Sequence, residues 1–152
     1  MIVILRTDSD NPDFIELVKL LDADLANRDG EEHSFYAPFN TLTKIKYTVV
    51  AYENEKPVGC GALKEFGVNT LEIKRMYVSP GSRKSGMATK ILSELENWAA
   101  ELSCTRCILE TGKRQPEAIQ LYKKSGYRSI PNYGQYAGVD NSLCFEKEIR
   151  IT

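Results

Sequence analysis

Residues Thr70-Leu71-Glu72-Ile73-Lys74-Arg75-Met76-Tyr77-Val78-Ser79-Pro80-Gly81-Ser82-Arg83-Lys84-Ser85-Gly86-Met87-Ala88 carry the reading on which the fold turns. The first nine predict a strand, and Pro80-Gly81 stops it. From Met87 onward Ala88, Ile91, Leu92, Leu95, Trp98, Ala99 and Leu102 recur at helical spacing, which predicts an amphipathic helix with one apolar stripe. A strand, a tight turn with glycine and a helix start, in direct succession, is a physical recipe for holding phosphate. The first turn of a helix leaves backbone N–H groups without partners, and its macrodipole places about +0.5 charge there. Gly86 lets backbone approach a ligand where a Cβ would collide, and Arg83 and Lys84 add two cations. A basic, solvated helix start capped by Ser82 or Ser85 accounts for the same residues without a ligand.

Upstream, Ile2–Arg6 reads as a short strand, and Asn11-Pro12 as a helix start with a capping side chain. Phe14, Leu17, Val18, Leu21 and Leu25 follow at helical spacing. Residues Asn27–Thr43 are polar and aromatic by turns and fit either a second, shorter helix or a loop. Tyr47–Tyr52 and Pro57–Phe66 are β-rich runs separated by Glu53-Asn54-Glu55-Lys56, a predicted hairpin. Downstream, Arg106–Glu110 reads as a short buried strand and Gln115–Ser125 as a helix with Gly126 at its end. Tyr127–Ile130 and Ser142–Ile149 close the chain as strands. Strand–helix–strand crossovers after a block of antiparallel strands define a mixed α+β class, with a sheet that is parallel in part.

The 152 residues suit one domain over 1–152, since no linker, repeat or low-complexity stretch divides them. A net charge of -1 gives no electrostatic reason to expect nucleic acid or a membrane as partner. Apolar runs are too short to span a bilayer, and Met1–Leu5 reads as a strand rather than a signal peptide, so a cytoplasmic location is expected. Cys104-Thr105-Arg106-Cys107 has zinc-knuckle spacing, but no second pair completes a tetrahedral site. Reduced, mostly buried thiols and no metal are expected for Cys60, Cys104, Cys107 and Cys144.

Arg83, Gly86 and Ala88 fit neither a Walker A loop, which needs a GK[ST] ending, nor a dinucleotide fingerprint with three glycines. They fit [Arg/Gln]-x-x-Gly-x-[Gly/Ala], which resembles the pyrophosphate motif of the GNAT superfamily of N-acetyltransferases. Met76-Tyr77-Val78-Ser79-Pro80 matches the superfamily's hydrophobic-x-Val-x-Pro strand end, and Ala118-Ile119-Gln120-Leu121-Tyr122-Lys123-Lys124-Ser125-Gly126-Tyr127 matches its later Ala-x-x-Leu-Tyr-x-x-x-Gly-Tyr run. The specific motifs occupy Glu72 to Tyr127. The resemblance implies a central, mostly antiparallel sheet of six to seven strands flanked by about four helices, and acetyl-CoA as cosubstrate. It further implies that Arg83, Lys84, Ser85, Gly86, Met87 and Ala88 take the pyrophosphate. Backbone at Met76 and Val78 would pair with the pantetheine arm. Many members carry asparagine where this chain has Gln115, the remaining cofactor-binding candidate.

Acetyl transfer to an amine needs an uncharged nitrogen, and a primary ammonium with pKa about 10 must first lose a proton. Glu72, eleven residues before Arg83, has the spacing of the glutamate base in part of the superfamily. Strand alternation puts Glu72, Lys74, Met76 and Val78 on one face and Ile73, Arg75 and Tyr77 on the other. Pairing with Lys74 or a neighbouring strand is the structural alternative for Glu72. The resemblance makes Tyr122 the acid that protonates the leaving sulfur; a core aromatic is its alternative. The backbone N–H of Met76 or a neighbour would polarise the thioester carbonyl. His33, the only histidine, sits with Phe35, Tyr36 and Phe39 and reads as a packing or surface residue, with a catalytic role as its alternative. Tyr133, Tyr136 and Asp140, and Glu31 and Glu32, fall in the two connections expected to flank an acceptor site. The expected acceptor is a small-molecule primary amine. A protein lysine or terminal amine, or a non-catalytic acyl-CoA-binding module, stays open, as does a homodimer.

Overall fold

The structure, a computed structural model, describes residues 1–29 and 45–150. Its order is β1 (Ile2–Thr7), α1 (Pro12–Asp29), β2 (Tyr47–Glu53), β3 (Lys56–Gly67), β4 (Thr70–Val78), α2 (Met87–Glu101), β5 (Arg106–Gly112), α3 (Pro116–Lys124), β6 (Arg128–Ile130) and β7 (Ser142–Glu148). The strands form one seven-stranded sheet in the order β1-β2-β3-β4-β5-β7-β6. Every neighbouring pair is antiparallel except β4 and β5. This is the mixed, mostly antiparallel architecture expected, with three α-helices among the described residues where about four were anticipated. Most of Asn27–Thr43, with His33, Glu31, Glu32, Phe35, Tyr36 and Phe39, lies outside the described residues. Its first three positions end α1.

Local chemistry explains the element ends. Asn11 Oδ1 accepts the N–H groups of Asp13 and Phe14 at 2.9 and 3.2 Å, capping α1 as its sequence predicts. The β2–β3 hairpin turns through Asn54 and Glu55, both at positive φ (50° and 70°). That is the pattern of a two-residue turn whose twist suits a hairpin.

The two faces of the sheet are covered by different helices. Phe14, Leu17, Val18 and Leu21 of α1 pack with Val50, Cys60, Ala62 and Tyr77. Met87, Ile91, Leu92, Leu95 and Ala99 of α2 bury the predicted stripe against Val49, Leu63, Leu71, Ile73 and Leu109 on the other face, where Tyr122 of α3 joins them. Each buried Val, Leu, Ile, Phe or Met side chain among these contributes about 1.5–3 kcal/mol by leaving water. All four cysteines are free; Cys60, Cys107 and Cys144 are buried. Burial pushes the Cys60 and Cys107 thiols up to about 12, so they stay protonated and inert.

One expectation about β4 is corrected. Cys60 faces Tyr77 and Ala62 faces Lys74, so Gly61 alone opposes Arg75 and Met76, a bulge, with Arg75 at φ 61°. The extra residue reverses the alternation. Leu71, Ile73, Met76 and Val78 belong with the α2 face, and Tyr77 with the α1 face. Glu72 and Lys74 therefore do not share a face with Met76 and Val78.

Candidate active site

The β4–β5 pairing is short: Thr70↔Arg106, Leu71↔Cys107 and Glu72↔Ile108. Beyond Glu72 the two strands part, and a cleft of about 1030 Å³ opens between them. Met76 and Val78 lie on the stretch of β4 past that last pair, where backbone is open to an added strand-like ligand. The opening also lets side chains from both faces of the sheet meet. Glu72, Lys74, Glu110 and Tyr136 line the cleft from one side, and Met87, Ala88 and Tyr122 from the other.

At the cleft's other end, α2 begins with Gly86 as its N-cap, at φ 82° and ψ 6°, with no side-chain cap. Neither Ser82 nor Ser85 caps the helix: the Ser85 hydroxyl donates to the Ser82 carbonyl at 2.6 Å. The first-turn N–H groups are thus left to a ligand. Nothing lies within 4 Å of a Cβ at Gly86, so its left-handed backbone, rather than crowding by the protein, demands glycine. Lys84, Gly86, Met87, Ala88 and Gln115 line the cleft, and Ser85 is not among its lining residues. Arg83 lines it too, but as a strut. Its Nε donates to the Val78 carbonyl at 2.7 Å, its guanidinium stands 5.6 Å from the Tyr77 ring centre, and Asp24 lies 3.8 Å away. It ties the loop to the end of β4 and to α1.

Glu72 is 4% exposed. Its Oε2 accepts the phenol O–H of Tyr133 at 2.6 Å. Lys74 Nζ donates to Tyr136 Oη at 3.3 Å. Burial drives the Lys74 ammonium below its ordinary range, with Glu72 opposing the shift. Tyr122 is 6% exposed and packs against Tyr127 and Phe145, with ring centres 5.8 and 6.4 Å away. Burial first, and then the charge of Glu110, raises its phenol above the usual tyrosine value. A phenol so placed holds its proton at neutral pH.

Glu110 escaped the sequence reading. It lies on β5 two residues past the last β4 pair, lines the cleft, and accepts the Ser142 hydroxyl at 2.8 Å. Only its place on a strand that parts from its neighbour makes it part of the site. Among the described residues no three His, Cys, Asp or Glu side chains group to hold a metal ion, and no helix is long and apolar enough to cross a membrane.

The parallel pair thus splays beside an uncapped helix start, leaving one long cleft with carboxylates and a buried phenol in the gap. The model of the acetyltransferase (GNAT) family matches residues 14–127, and the chain belongs to that family. It is 31% identical over 140 residues to an IAA acetyltransferase of Azospirillum brasilense, covering 89% of this chain and 90% of that one. A Klebsiella pneumoniae protein described as a candidate acyl-CoA N-acyltransferase superposes with a TM-score of 0.82 at 26% identity, over 99% of both chains. The PaiA N-acetyltransferase of Thermoplasma acidophilum, solved with coenzyme A, shares the fold at 16% identity and a TM-score of 0.70, over 97% of this chain and 99% of that one. The protein is thus an acyltransferase with acetyl-CoA as cosubstrate. The open edge of β4 and the uncapped first turn of α2 fit that molecule's pantetheine arm and pyrophosphate.

Proposed function

We propose that the protein moves an acetyl group from acetyl-CoA directly to the primary amine of a small molecule, with Glu72 as base and Tyr122 as acid. One observation carries the assignment: Glu72 and Tyr122, on opposite faces of the sheet, both reach the cleft where β4 and β5 part. Bound acetyl-CoA supplies an acetyl thioester. Residues Arg83 to Ala88 hold its pyrophosphate at the start of α2, and Met76 and Val78 align its arm along β4. Glu72 takes a proton from the acceptor nitrogen, directly or through a water, so that a lone pair is free to form the C–N bond. The N–H at Met76 steadies charge on the carbonyl oxygen. As the C–S bond breaks, the proton on Tyr122 Oη passes to sulfur. The second proton of the adduct nitrogen returns to Tyr122 through water, and Glu72 releases its proton to solvent, so an alkylammonium and acetyl-CoA give an amide, free CoA and one proton.

Aromatic and acidic groups beside the cleft, Tyr136, Glu72 and Glu110, suit an amine that arrives as a cation. The test is release of free CoA from acetyl-CoA across a panel of amines, amino acids and peptides. Turnover of small primary amines is expected. Turnover of peptides alone would replace the small acceptor with a protein one, and no turnover with any amine would remove the amine altogether.

A further inference from the structure

The connection between β6 and β7 is built to hold one side chain. Asn132 Nδ2 donates to the carbonyls of Val139 and Ser142 at 3.1 and 3.0 Å, closing the connection on itself. The Tyr136 N–H donates to the Tyr133 carbonyl at 2.9 Å, and the Lys113 N–H to the Asn141 carbonyl at 2.8 Å, tying the far end to the residue that follows β5. Within this frame the Tyr133 ring is met edge-on by Phe66, 5.1 Å away, and by Tyr136, 5.7 Å away. Its one polar atom then donates to Glu72 Oε2. Tyr133 is not among the residues lining the cleft, whereas Glu72 is.

We propose that Tyr133 is a positioning residue for Glu72, holding Oε2 so that Oε1 is presented to the acceptor nitrogen. The inference rests on the reading of Glu72 as base. A carboxylate whose side chain has several rotamers loses rate whenever it turns away, and a fixed donor on one oxygen removes that freedom. Burial, and next the charge of Glu72, raise the Tyr133 phenol above its ordinary range, so it stays a donor throughout. The aromatic contacts explain why a tyrosine, rather than a serine or threonine, does this. The ring sets the reach and two neighbours fix its plane.

Tyr133→Phe keeps the ring and its two contacts and removes only the donor. It is to be compared with Glu72→Gln and the double variant, using acetyl-CoA and a primary amine over a range of amine concentrations, with CoA affinity by calorimetry. Tyr133→Phe is expected to lower kcat about 10- to 100-fold, the range for a hydrogen bond to a charged group. KM for the amine and CoA affinity should stay at wild type, so that the loss falls on kcat. Added to Glu72→Gln, the same change should cost less than about twofold, because the group it positions is gone. A loss confined to KM, or a full independent loss in the double variant, overturns the inference while leaving Glu72 as base. Wild-type turnover in Glu72→Gln overturns the base, and this inference with it.

Discussion

Gly61 lies against Met76 so closely that a Cβ at position 61 would stand 2.8 Å from the Met76 sulfur, and 2.8 Å from Leu95 Cδ1. Position 61 is also the single residue that opposes the Arg75–Met76 bulge. The absence of a side chain there lets the bulged strand and α2 share one surface. Gly61→Ala should cost about 1–3 kcal/mol by overpacking, a fall of about 2–4 °C in Tm per kcal/mol for a chain this long. It should also weaken acetyl-CoA, because the strained side chains adjoin the β4 edge. Thermal denaturation and calorimetry check both; wild-type values in each would show the contact to be easily relieved.

The start of α2 makes a second prediction, graded by side chain. Gly86→Ala meets open space but must adopt φ 82°, so a modest loss of about 1–2 kcal/mol is expected from backbone strain alone. Gly86→Asp bears the same strain and adds an anion at a helix start that takes phosphate. CoA binding should weaken in the alanine variant and vanish in the aspartate variant. Equal affinities in the two, measured by calorimetry, would move the phosphates elsewhere.

The elements were legible because their signals are local. The stripe from Met87 and the cap at Asn11 are short-range patterns. The strand Thr70–Val78 appears with the bounds read from sequence, and the helix starts at Met87 as read and ends at Glu101, just before the last periodic position, Leu102. The face of Glu72 was not legible, because alternation assumes an unbroken pleat. The bulge at Arg75 is defined by the register of β3, which no spacing within β4 records. The struts on the site were hidden for the same reason. Tyr133 lies 61 residues from Glu72, and only the order β5-β7-β6 brings its connection over β4. Arg83 matches its motif position, yet its bond to the Val78 carbonyl and its approach to Asp24 depend on how α1 crosses the sheet.

Tyr122 tests the acid. Tyr122→Phe keeps the ring contacts with Tyr127 and Phe145 and removes only the hydroxyl. Turnover should fall about 10²–10⁴-fold if proton delivery limits the rate, with CoA affinity and Tm close to wild type. The raised phenol also has a pH consequence. A group whose proton is held more tightly than usual loses it only above the ordinary tyrosine value near 10, so Tyr122 should add no alkaline fall to the wild-type profile below about pH 10. A fall below that pH that is absent from the phenylalanine variant would contradict the burial of this group. Wild-type turnover in the variant would return Tyr122 to the core.

Glu72 completes the set. Glu72→Gln preserves the shape of the side chain and an oxygen able to accept the Tyr133 phenol, so the local hydrogen bond and stability should survive. What disappears is the capacity to take a proton. Near neutral pH almost all of a primary amine is ammonium, and the variant must wait for the small fraction of free amine; the loss should be largest there. As pH rises toward the acceptor's own pKa, near 10 for a simple alkylamine, free amine forms without help and the deficit should shrink. Cofactor affinity should not change, because Glu72 enters the cleft at the end of the β4–β5 pairing rather than at the start of α2. A structural role predicts the reverse pattern: a lower Tm with a rate deficit that does not depend on pH. Rate against pH for both proteins, with an acceptor of known pKa and a melting curve for each, separates the two. A small deficit, flat in pH, would pass the role of base to another group, with Glu110 the first to substitute because it lines the same gap.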